Sequence, residues 1–143
     1  YRPDLAVVTN LEHDHPDEAF IERVVHCVRS HRYRRREEAP PATLEARVVF
    51  DADKLDSIGA VGIARSLHFA GREGARLHNT EEEAVSSASY SREDTAYREF
   101  LVKLRHVHEH MLTDEGRRLA AGRHRFMVDF FAELDREVRG EDR

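Results

Sequence analysis

Apolar residues recur along this chain at three- and four-residue intervals, which is the spacing of helices that bury one side. Leu5, Val8 and Leu11 keep that interval and predict the tail of a helix. Asp14-His15-Pro16-Asp17-Glu18 then reads as a helix start. Pro16 suits the first helical position, and the acids favour the positive end of the helix dipole. Phe20, Ile21, Val24, Val25 and Val28 give the next helix one apolar face, running to about His31. Charges and the Pro40-Pro41 pair in "RYRRREEAPPAT" predict a loop.

Thr43 reads as the N-cap of a further helix, with Leu44, Val48, Ala52 and Leu55 facing inward. Val48-Val49-Phe50 also suits a strand, but Asp51, Asp53 and Asp56 do not, so the prediction is helix. Gly59 and Gly62 interrupt it, and "AVGIARSLHFAG" continues as a second helix packed closely on its neighbour, since glycines permit close approach. Residues 71–93 are polar and predict a long loop or lid with no core of its own. A helix from Asp94 to Leu112 then buries Tyr97, Phe100, Leu101, Leu104 and Val107. A last one, from Thr113, buries Leu119, Phe126, Met127, Phe130 and Phe131. Nothing forces a strand. The expected fold class is all-α, as one helical domain over residues 1–143.

The 143 residues are enough to bury a real core. A net charge of -5 argues against a general binder of nucleic-acid polymers, which would be basic. One basic patch, "RSHRYRRR", offers Arg29, Arg32 and Arg34 either to phosphate oxygens or to solvent. The single cysteine, Cys27, excludes an internal disulfide and reads as a small buried hydrophobe among Val24, Val25 and Val28. No apolar run approaches the roughly 20 residues that span a bilayer, and no signal peptide is visible. The expectation is a soluble, cytoplasmic protein.

The acids of "FDADKLDSIGA" raise the chemical question. Successive helical residues turn by about 100°. Asp51 and Asp53 therefore point to nearly opposite sides, while Asp53 and Asp56 share a face with Val49. Asp51 shares a direction with Val48 and Leu55, which predicts partial burial. A carboxylate in an apolar setting needs a metal ion or a neighbouring cation. Spacing alone does not choose between a metal site and a structural ion pair. His106, His108 and His110 spread around their helix and read as surface residues. Lys103 reads as an ordinary salt-bridge partner, and Arg76 and His78 as part of the lid.

"FDADKLDSIGAVGIAR", Phe50 to Arg65, resembles the last metal-ligand segment of the HD-domain (His-Asp) phosphohydrolases, in particular their small bacterial and archaeal group. "PDEAFIERVVHCVRSHRYR" before it and "TDEGRRLAAGRHRFM" after it agree in order, so the resemblance covers Pro16 to Met127. It implies an HD-domain-like helical bundle. It also implies hydrolysis of a phosphate ester or anhydride of a small phosphorylated substrate, commonly a nucleotide. The cofactor it implies is a divalent metal ion, manganese, iron, zinc or magnesium. By the same resemblance Asp53 matches the distant metal-ligating aspartate, expected to be buried and facing a cavity. Lys54 and His31 take catalytic places on the phosphate side, and Arg32, Arg34 and Arg65 contact the substrate.

The family pattern places a histidine and a His-Asp doublet upstream of the segment matching "PDEAFIERVV", where this chain has few residues. The expectation is therefore a C-terminal part, a fragment incomplete at its N-terminus. His13-Asp14 precedes His15-Pro16 and reads as a polar connection and not as that doublet. Two functions follow as expectations: a metal-dependent phosphohydrolase, or a non-catalytic HD-like module that binds a phosphorylated ligand or a protein partner.

Overall fold

The computed structural model describes residues 17–31 and 40–141, and among these every regular element is helical. The expected all-α class is what the chain adopts. The chain divides into two compact units, Tyr1–Asp53 and Lys54–Arg143.

In the first unit, α1 spans Glu18–Ser30. Asp17 is its N-cap, accepting a hydrogen bond from the Phe20 amide at 2.6 Å. The helix thus starts just after the predicted proline, because a carboxylate there satisfies an otherwise orphaned N–H. Its predicted apolar face lies partly open, with Phe20 and Ile21 exposed and Val24, Val25, Cys27 and Val28 half-buried. His26 Nε2 accepts from the Ala42 amide at 3.0 Å, tying α1 to the approach of the next helix.

That helix, α2, spans Leu44–Leu55 and crosses the unit boundary. Thr43 caps it as expected, its hydroxyl accepting from the Ala46 amide at 3.2 Å. The predicted inward face holds only at Leu55, which is half-buried against the core. Leu44, Val48 and Ala52 are exposed, and the buried positions are Ala46, Phe50, Asp51 and Lys54. Both stripes have helical spacing, and the large ring of Phe50, 1% exposed, decides which is buried.

In the second unit, α3 spans Gly59–Arg72, α4 Glu81–Ser86, α5 Ala96–Val102 and α6 Asp114–Val138. A 3-10 helix, Leu104–His110, lies between α5 and α6. α6 packs against α3 and the 3-10 helix, and α5 against α3 and α4. The shared core holds Ile58, Ile63, Ala84, Phe100, Met127 and Phe131, with the Phe100 and Phe131 rings stacked at 4.5 Å. Each such ring contributes about 1.5–3 kcal/mol by leaving water.

Three sequence expectations need correction in this unit. The predicted continuous helix 94–112 breaks at Lys103, whose backbone lies at φ -143°, ψ -58°. Leu104 and Val107, both buried, are three apart, and a three-residue turn sets them on one side. On α6, Leu119 and Phe126 are exposed, while Gly116, Ala120, Met127 and Phe131 form the buried stripe.

The third correction concerns residues 71–93, which contain α4 and do carry core. Thr80 and Glu83 form a reciprocal capping box at its start, and Ala84 is fully buried. Asn79, 2% exposed, accepts from the Thr95 hydroxyl at 2.7 Å and donates to the Glu93 carbonyl at 2.9 Å. Arg98 is also buried. It donates to Asp94 at 2.9 Å and twice to the Ser87 carbonyl. These buried polar groups are mutually satisfied, which offsets the cost of removing them from water.

The 3-10 helix meets α6 through His108 and His124, whose rings stack at 3.7 Å. His124 Nδ1 is buried without a hydrogen-bond partner among the described residues. Burial, and then the nearby His108, Arg105 and His106, hold His124 below its ordinary pKa, while Glu109 opposes them. A histidine depressed in the folded state adds stability above its unfolded pKa, about 6.5, that is lost as pH falls through the folded value. Urea unfolding from pH 7.5 to 5 is therefore expected to show a falling midpoint, with a shallower fall in His124→Phe. Equal slopes in the two proteins would contradict this reading of the stack.

Candidate functional site

The residues of the "DADKLDSIGAVGIAR" stretch meet at the turn between α2 and α3. A helix end leaves carbonyls without intrahelical partners. At α2 two of these are taken. The Lys54 carbonyl accepts from the Ser57 amide at 3.0 Å and the Ser57 hydroxyl at 2.7 Å. The Leu55 carbonyl accepts from the Ile58 amide at 3.4 Å and from Arg123 Nη1, which reaches it from α6. Met127, one turn along α6, is fully buried in the core.

The two glycines have separate geometric reasons. Gly59 adopts φ +72°, the left-handed region that favours glycine, and a Cβ there would lie 2.9 Å from Cγ of Arg123. At Gly62 a Cβ would run into the Ser57 carbonyl oxygen, so α3 can start this close only with a bare Cα. The expected close approach is present, but the partners are a backbone carbonyl and an arginine stem, which periodicity does not reveal.

The predicted site residues divide into distinct settings. Lys54 is buried, 6% exposed, on the last turn of α2. Asp51 is buried too, at 3%, but on the side of Phe50 and not with Val48, the neighbour from which its burial was expected. Asp53 is exposed, so the expectation of a buried carboxylate facing a cavity is corrected: Phe50 turns the Ala46–Lys54 side inward and Asp53 outward. Arg65 lies at the surface in an ion pair with Asp56 and also donates to the Asp56 backbone carbonyl at 3.1 Å. His31 is half-buried, with Nδ1 2.6 Å from the Val28 carbonyl. In that contact Nδ1 carries a proton, since the carbonyl can only accept. Arg32, Arg34, His13 and Asp14 lie outside the described residues.

Other candidates have structural partners. Lys103 pairs with Glu99, and His106 lies 3.3 Å from Glu109. Arg76 pairs with Glu83 and Glu93. His78 is half-buried, stacked on Tyr97 at 4.8 Å, with Nε2 3.5 Å from Asp135. Burial and the Asp135 charge raise the Tyr97 pKa. Sequence reasoning missed Arg123. Its one sequence signal is its place in "GRHRFM", within the last segment that carries the resemblance.

Comparison with known proteins adds to this geometry. No protein-family model matches the chain. Over 123 residues it is 38% identical to the Bacillus subtilis protein YpgQ, covering 85% of this chain and 54% of YpgQ. A crystal structure of YpgQ superposes with a TM-score of 0.70 at 36% identity, over 89% of this chain and 61% of that one. YpgQ in complex with ADP gives 0.65 at 34%, over 90% and 57%. An HD-superfamily hydrolase from Bacillus thuringiensis gives 0.66 at 26%, over 87% and 56%. The chain has an HD-domain-like fold. It spans about half the length of the curated relative it matches.

An HD-type hydrolase implies a divalent metal. Among the described residues no three histidine, cysteine, aspartate or glutamate side chains converge to hold one. By themselves these residues do not fit such an ion, and no step of the chemistry is assigned to it. Among the described residues no helix is long and apolar enough to cross a membrane.

The turn makes a direct stability prediction. Gly62→Ala is expected to lower stability by about 2–4 kcal/mol, since the new methyl meets backbone that cannot swing away. Gly71→Ala, in α3 with open space around it, is expected to change stability by less than about 1 kcal/mol. Thermal unfolding checks both, and equal midpoints would contradict the steric argument.

Proposed function

We propose that this chain is part of an HD-type phosphohydrolase that acts on a phosphate ester or anhydride of a small molecule, a nucleotide. The observation that carries this reading is the "DADKLDSIGAVGIAR" turn, in a chain 34% identical to a protein solved with ADP bound. ADP presents a terminal phosphate and an anhydride, the groups such a fold would engage.

In this reading Lys54, on the last turn of α2, supplies a compact positive charge to the phosphate. His31 is assigned to the phosphate side by the resemblance alone, its Nδ1 held by the Val28 carbonyl. Arg32 and Arg34 offer guanidinium forks to phosphate oxygens. Arg65 does so by exchanging its partner Asp56 for substrate, a low-cost exchange because exposed pairs are worth about 0–1 kcal/mol. Asp53 is the described residue matched to the family's distant metal ligand. One carboxylate, exposed as Asp53 is, does not by itself hold a catalytic ion.

Calorimetric titration with ADP, followed by phosphate-release assays with manganese or magnesium, tests this reading. Saturable ADP binding that Lys54→Met weakens about tenfold, the loss of roughly 1.4 kcal/mol, is expected. Phosphate release that depends on the ion and is lost in Asp53→Ala supports the hydrolase. Binding without release supports the non-catalytic module. The absence of ADP binding contradicts the nucleotide reading in either form.

A further inference from the structure

We infer that Arg123 is a positioning residue for phosphate binding: it fixes the last turn of α2 and through it the ammonium group of Lys54. The inference rests on the proposed nucleotide-binding function and extends it to a residue on α6 that touches no substrate.

Three observations converge on this residue. Its Nη1 donates to the Leu55 carbonyl, 68 residues away in sequence, on the residue next to Lys54. Its stem lies across Gly59, where a Cβ would come within 2.9 Å of Cγ and 3.0 Å of Cβ. Its own helix is anchored in the core, with Ala120 and Met127 on either side fully buried. The turn is therefore held from α6 by a guanidinium, as well as by its local Ser57 contacts.

The electrostatics give the contact a consequence beyond stability. The last carbonyls of a helix carry its negative partial charge, which repels phosphate. Lys54 sits at that end of α2. A guanidinium on the Leu55 carbonyl offsets the negative end and stops the turn from fraying. Removing it lets Lys54 move and restores the repulsion, so anion affinity falls along with stability.

The test uses the full chain with ADP as probe, comparing wild type, Arg123→Met, Lys54→Met and the double variant at a temperature where each is folded. Arg123→Met keeps an apolar stem over Gly59 and removes the donor and the charge. We expect it to weaken ADP binding about tenfold. We expect no further weakening when it is added to Lys54→Met, because Arg123 acts through Lys54. A lower melting point with unchanged ADP affinity, or additive losses in the double variant, overturns the inference. Should Arg123→Met fail to fold, Arg123→Gln keeps a donor and loses the charge. It is expected to bind ADP at least threefold more weakly, and wild-type affinity there overturns the inference. Wild-type protein that binds no ADP overturns the proposed function and this inference together. Wild-type binding with an unaffected Arg123→Met overturns the inference alone.

Discussion

The second unit depends on one tight reversal, in which the backbone leaves α2 and enters α3 with no room for a Cβ at two points. Gly62 lies against the Ser57 carbonyl and Gly59 against the stem of Arg123. These contacts let α3 begin within four residues of the end of α2. They also place Ile58 and Ile63 on either side of the turn, both in the core beneath α6. A bulkier residue at either glycine would push α3 outward and open that core. The steric constraint and the hydrophobic one therefore enforce the same geometry.

The same reversal explains why charged residues tolerate an otherwise buried stretch. The carbonyls of Lys54 and Leu55, left over where α2 stops, are taken by Ser57, Ile58 and Arg123. Asp56 turns outward and pairs with Arg65 across the surface. Asp51 and Lys54 lie on the side that Phe50 buries, and Asp53 lies on the other. The cluster thus divides into a surface ion pair, an exposed carboxylate and buried groups close to the turn. Periodicity left the choice between ion pair and metal ligand open, and only the Asp56–Arg65 pair is settled as the former.

Elements with one dominant periodic face were legible from the sequence. The cap at Thr43 followed from residue type, and the helix start at Thr113, the helix through "AVGIARSLHFAG" and the burial of Tyr97, Phe100, Leu104, Val107, Met127 and Phe131 from the pattern of the chain. Where two faces competed, spacing failed: α2 carries apolar stripes at 44-48-52-55 and 46-50, and the larger ring prevailed. The break at Lys103 was hidden because three- and four-residue repeats coincide over so short a run. Residues 71–93 looked like a polar loop because their cohesion comes from buried hydrogen bonds of Asn79, Thr95 and Arg98, which hydropathy does not register. Within the candidate site, the motif marks the turn between α2 and α3. It did not reveal Arg123, because a contact spanning 68 residues has no local signature.

The central claim is that the turn from Lys54 to Gly62 faces a phosphate-bearing ligand. Titrating ADP into isotope-labelled protein and following backbone amide resonances tests it most directly. The account predicts saturable shifts at Lys54, Ser57, Gly59 and Gly62, with little movement at the far end of α6 near Val138. Shifts confined to residues remote from this turn would contradict it, as would a spectrum unchanged at saturating ADP.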